Sequence, residues 1–132
     1  MTKVLREYPP NIKELREKFH PRPGTIFAWD GVIFAPQGGE IPGHLIAHEE
    51  THFRQQRAVG GPENWWRQYI DDPQFRLEQE IEAYRAQYAV AEQMERPVRR
   101  RLLASICRDL ASAMYGSLIS KEEARRLITS SP

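Results

Sequence analysis

Residues 48–52 read His48-Glu49-Glu50-Thr51-His52, an H-E-x-x-H sequence. Its residue types are those that bind a transition metal and move a proton. Two histidines at i and i+4 stand one above the other on a helix face. Both imidazoles can then reach one tetrahedral zinc. Glu49 lies about 100° round the helix from His48 and is placed to act as general base on a zinc-activated water. Four His and 14 Glu shuffled among 132 positions give this pattern on the order of once in a hundred. The surroundings must therefore decide.

A catalytic zinc takes three protein ligands and keeps one position open. The pattern H-E-x-x-H-x-x-G-x-x-H is excluded, because Gln55 and Ala58 stand at its Gly and His positions. His44 shares a face with His48 but lies two turns from His52, roughly 12 Å of helix rise. It reads as a surface residue near a helix start, or as a group that tunes the site from behind. His20, beside Pro21, belongs to a loop. Carboxylates in segment 75–91 are better placed. There Leu77, Ile81, Tyr84 and Tyr88 repeat at spacings of 4, 3 and 4 and define the face expected to meet the core. Glu80 falls about 60° from the middle of that face, Glu78 near 90° on the other flank, and Glu82 well outside. Glu80 is the first candidate, with Glu78 and Glu82 as the alternatives.

The H-E-x-x-H on one helix, followed 28 residues after His52 by Glu80-Ile81-Glu82-Ala83-Tyr84 on another, resembles the gluzincin metallopeptidases. It is most similar to the small single-domain gluzincin-like proteins of bacteria and phages. The resemblance covers roughly residues 24–92. It implies His48, His52 and Glu80 as zinc ligands, Glu49 as catalytic base, and a peptide or protein substrate. It also implies a strand before the motif that pairs with an extended peptide, through backbone groups of Phe34-Ala35 or Phe27-Ala28. The chain departs from the family at Tyr84, where an acid usually steadies a ligating histidine. Moving the third ligand to Glu78 restores an acid at Glu82 but breaks the E-x-x-A match. Tyr84, Tyr88 and Tyr115 are candidates to stabilise an oxyanion. Two other readings remain: a non-catalytic zinc protein, structural or part of a phage or prophage assembly, and a metal-free helical adaptor.

Composition sets the outer bounds. A chain of 132 residues is the size of one ordinary domain with a modest core. Its net charge of +1, from 19 basic and 18 acidic side chains, gives no field that favours nucleic acid or a membrane surface. Four arginines between Arg96 and Arg101 read as the solvated start of a helix. Cys107 is the one cysteine, on an apolar helix face, so a buried thiol in a reducing, cytoplasmic setting is expected. No apolar run approaches a membrane span.

The elements that would position the motif follow from turn and cap residues. Asn11 reads as the N-cap of a helix over Ile12, Leu15 and Phe19, stopped by Pro21 and Pro23. Asp30-Gly31 between Thr25–Trp29 and Val32–Ala35 predicts a hairpin, with a weaker third strand over 2–6. Pro42 opens the motif helix, which runs to Ala58 before Gly60-Gly61. A short helix carries Trp65, Trp66, Tyr69 and Ile70. Asp72-Pro73 opens a long one through about Glu95. Pro97 opens the next, with a buried stripe of Leu102, Leu103, Ile106, Leu110 and Met114 that ends at Gly116. Ser120 and Glu123 form a capping box for the last. Glu50 and Arg54 can pair on the surface, while Gln55 and Gln56 carry no readable role. The expected fold is α+β, mostly helical, with the hairpin at an edge and the motif helix packed on the Glu80 helix.

Overall fold

Asp30 and Gly31 both take positive φ, 49° and 80°, the backbone that a two-residue hairpin turn needs and that glycine adopts without strain. In the computed structural model, which describes residues 1–130, this turn joins β2 (Phe27–Trp29) to β3 (Val32–Phe34). The strands pair antiparallel with Ala28 opposite Ile33. The ladder is shorter than the expected Thr25–Ala35 hairpin. Residues 3–5 form β1 (Lys3–Leu5) and pair parallel to β3 in the order β1-β3-β2.

Six α-helices complete an α+β fold among the described residues: α1 (Ile12–Phe19), α2 (Gly43–Ala58), α3 (Pro62–Asp71), α4 (Pro73–Ala91), α5 (Arg96–Leu110) and α6 (Lys121–Thr129). Their ends largely follow cap chemistry. The Asp72 side chain accepts from Gln74 N and opens α4, and Ser120 and Glu123 bond reciprocally to open α6. Pro42 is extended and precedes α2 rather than starting it. Helix α4 stops at Ala91, short of Glu95. Ser112 is extended, so α5 ends at Leu110 and Gly116 closes a separate 3-10 turn (Ala113–Tyr115). Met114 is consequently exposed rather than on the α5 stripe. Asn11 sits at the start of α1 but makes no cap bond through its side chain.

Among the described residues, three apolar clusters hold the fold together. Ala28, Ile33 and Phe53 fix the sheet to α2. Leu15, Phe27, Phe34, Trp65, Trp66 and Tyr69 join the sheet to α1 and α3. Leu77, Leu103, Ile106, Leu110, Tyr115 and Ile128 join α4 to α5 and α6, with Cys107 buried beside them. Ile81, Tyr84 and Tyr88 pack on this last cluster half-buried. A different face of α4 is also buried: Glu80, Ala83 and Gln87 are directed at α2, while Arg76 bonds Tyr69 O, Ile70 O and Met114 O. No helix among the described residues is long and apolar enough to cross a membrane.

Candidate metal centre

Helices α2 and α4 pack side by side through polar groups. His48, Glu49, Thr51, His52, Gln55 and Gln56 are buried on α2, and Glu80 and Gln87 on α4. Buried polar groups persist where they find partners, and His48, His52, Gln55, Glu80 and Gln87 are linked to one another. Gln55 donates through Nε2 to Gln79 O (3.0 Å) and to Glu82 Oε1 (2.6 Å). That fixes its Oε1 2.8 Å from His52 Nδ1, so the ring donates there and leaves Nε2 as an acceptor. Gln87 does the same for His48. Its Nε2 lies 2.9 Å from His44 Nδ1 and its Oε1 2.9 Å from His48 Nδ1.

The two free ring nitrogens then face each other, Nε2 to Nε2, at 3.2 Å. Glu80 Oε1 lies 3.0 Å from the first and 3.1 Å from the second. Its other oxygen accepts from the Tyr69 hydroxyl at 2.6 Å. Three lone-pair atoms converge in a buried spot, an arrangement that requires positive charge between them. The protonation equilibria show that demand. Burial opposes the His52 imidazolium, but the Glu80 carboxylate outweighs it and lifts the ring to about 9. Burial also opposes ionisation of Glu80, yet His52 and His48 hold its carboxyl well below the usual range.

Glu49 extends the cluster. Its Oε2 lies 3.8 Å from His48 Nε2, and the ligand atoms of His48, Glu49 and His52 lie within 4.8 Å of one another, so these buried residues could hold a metal ion. Glu80 approaches both rings more closely than Glu49 does. Burial raises the Glu49 carboxyl above its ordinary range, against the pull of His48 and His52. Aromatic rings wall the site: Tyr84 meets His48 at 4.6 Å between centroids, and Trp65 meets His52 at 4.9 Å.

Glu78 is exposed, and Glu82, also exposed, reaches the site only through Gln55. His44 is half-buried against Gln87, and His20 is exposed at the end of α1. The Tyr84 hydroxyl turns away to Asp109 Oδ2 (3.3 Å), and Tyr115 and Tyr88 pack against the α4–α6 core. None of the three sits where its hydroxyl bonds the His48–His52–Glu80 cluster. Glu50 takes a bond from Thr2 and Arg54 bonds Thr51, so the expected Glu50–Arg54 pair does not form. Gln55, Gln87 and Tyr69 were not legible as site residues. The available signals were spacing alone: Gln55 three after His52, and Gln87 two turns after Glu80.

The sheet edges next to the motif are partly occupied. Ala35 N donates to Leu5 O, so β1 covers β3. On β2, Ala28 O accepts from Gln56 Nε2 and from Trp66 Nε1, and Asp30 N donates to Gln56 Oε1. Of the backbone groups expected to meet a substrate at Phe27-Ala28 and Phe34-Ala35, Ala28 O and Ala35 N are thus already engaged.

In comparisons with known proteins, no family model, curated protein or solved structure matches the chain. Fold and site together define an α+β domain whose two longest helices enclose a buried cluster of H-E-x-x-H residues that could bind a metal.

Proposed function

We propose that the chain is a zinc-dependent metallopeptidase of the gluzincin type, with His48, His52 and Glu80 as ligands and Glu49 as general base. One observation supports this above the rest: His48 Nε2, His52 Nε2 and Glu80 Oε1 are 3.0, 3.1 and 3.2 Å apart. Tetrahedral bonds of about 2.0–2.1 Å place ligand atoms about 3.3 Å apart. Two imidazoles and one carboxylate also match the donor preference of zinc. Zinc held there would supply Lewis acidity, polarising a carbonyl and easing deprotonation of water near neutral pH.

The chain's own groups do the remaining work. Gln55 and Gln87 hold the imidazoles in the ligating tautomer, and Tyr69 turns Glu80 so that one oxygen faces them. Glu49, whose carboxyl burial raises above its ordinary range, takes a proton from the attacking water. It then returns that proton to the leaving amine. Tyr84, a candidate to close a fourth position, has its hydroxyl bonded to Asp109, and His44, the other, has its Nδ1 bonded to Gln87. That favours hydrolysis.

The depth of burial favours a second reading, a structural zinc in a non-catalytic or phage-assembly protein: Glu49 and Glu80 are only 6% and 7% exposed. Glu49→Gln separates the two. For the enzyme, hydrolysis of a denatured-protein substrate by the zinc-loaded chain falls about 10²–10⁴-fold while zinc stays bound. An equal rate in both forms, or none in the wild type, would rule out the peptidase.

A further inference from the structure

Gln55 and Gln87 each bond a ligating ring, but they are anchored by different means. The Gln55 amide nitrogen donates to Gln79 O and to Glu82 Oε1. A backbone carbonyl and an ionised carboxylate only accept. This amide therefore lies one way, and His52 Nδ1 must donate to its oxygen. Gln87 has no such anchor. Its side chain is buried, and among the described residues its amide nitrogen meets His44 Nδ1 alone, at 2.9 Å. A histidine Nδ1 either donates or accepts, according to where the ring carries its proton. The orientation of Gln87 is thus settled by His44.

The consequence runs through three groups in a row. His44 and His48 lie one turn apart on α2, which lets a single glutamine from α4 span both. A carboxamide has one donor end and one acceptor end, so the two Nδ1 atoms that flank it must take opposite roles. With a lone pair on His44 Nδ1, Gln87 turns its nitrogen there and its oxygen to His48 Nδ1, 2.9 Å away. His48 then carries its proton on Nδ1 and keeps an Nε2 lone pair toward His52 and Glu80. A proton on His44 Nδ1 would reverse the amide and make His48 Nδ1 the acceptor. The His48 proton would then sit on Nε2, where a metal ligand needs its lone pair.

We infer that His44 is a positioning residue: through Gln87 it holds His48 in the tautomer whose Nε2 can take a metal. The relay stands on hydrogen-bond geometry, and only the use made of Nε2 rests on the zinc reading. Two measurements on the full chain keep these apart. Long-range proton–nitrogen NMR correlations of the histidine rings, recorded without metal, should show His48 Nδ1 protonated and His44 Nδ1 bare. Zinc affinity is then read by competition with a chromophoric chelator. His44→Leu removes the acceptor and should weaken zinc binding about two- to tenfold, the range of one net hydrogen bond. His44→Asn should restore the wild-type affinity, because its Oδ1 stands as many bonds from Cα as a histidine Nδ1. In a Gln87→Ala chain, His44→Leu should have no further effect, since residues that act through one another are not additive. The same protonation state at both Nδ1 atoms would overturn the relay whether or not zinc binds. So would full affinity in His44→Leu, no recovery in His44→Asn, or a loss that persists in the Gln87→Ala background. Opposed Nδ1 states in a wild type that binds no zinc would sink the zinc reading and leave the relay standing.

Discussion

Helix α4 presents two faces to the molecule, and they are held by different physics. Toward α5 and α6 it offers Leu77, Ile81, Tyr84 and Tyr88 to an apolar cluster. Toward α2 it offers Glu80, Ala83 and Gln87 to a buried polar interface. Apolar contact is non-directional and scales with area removed from water. The polar face works by direction: Gln87 serves His44 and His48 at once, and Gln55 joins His52 to Glu82. One face should therefore govern stability and the other metal affinity.

The sharpest way to break that division is to cut the apolar side. Leu110 is fully buried in the α4–α6 cluster, and Leu110→Ala should cost about 2–5 kcal/mol. Denaturant unfolding reads the loss, and zinc stoichiometry below the transition should stay at the wild-type value. A variant that keeps its stability but loses zinc would invert the assignment.

The polar side gives the next effect. Gln87→Ala or Gln55→Ala removes the group that fixes a ligating ring, and each should weaken zinc binding about 10–100-fold. Competition with a chromophoric chelator measures this. Unchanged affinity in both would mean that the glutamines only fill space.

A third expected effect is a pH dependence confined to the metal-free chain. His52 is raised from an ordinary value near 6.5 to about 9, with burial opposing and Glu80 favouring the charged ring. A raised folded-state value means that the stability from this pair is fully present below about pH 6.5 and is lost as pH climbs through about 9. Melting temperatures of the metal-free chain should fall over that window, and those of the zinc-loaded chain should not share the decline. Matching profiles for the two forms would contradict it.

These faces also explain which features were legible from residues alone. The hairpin turn at Asp30-Gly31 and the capping box at Ser120 and Glu123 are local chemistry, and both stand where expected. The H-E-x-x-H spacing placed His48 and His52 on one side of α2 because helix geometry alone does so. Glu80 was harder to locate. Counting apolar residues on α4 finds the Leu77–Tyr88 stripe and puts Glu80 at its flank, whereas it sits at the centre of a second buried face. That face carries no apolar signal, since it is held by Gln and Glu side chains whose partners lie on another helix. Gln55 and Gln87 were invisible for the same reason: a glutamine acquires a role only from what faces it. The covering of β3 by β1 is a long-range parallel pairing, and three residues such as Lys3–Leu5 carry too little pattern to announce it.

In the proposed function, α2 and α4 together form a three-ligand zinc site. Metal content of the wild type and Glu80→Ala, both purified without added metal, tests it most directly. One zinc per wild-type chain and a large loss in the variant is the predicted result. Full zinc in Glu80→Ala, or none in the wild type after zinc is added back, would contradict it.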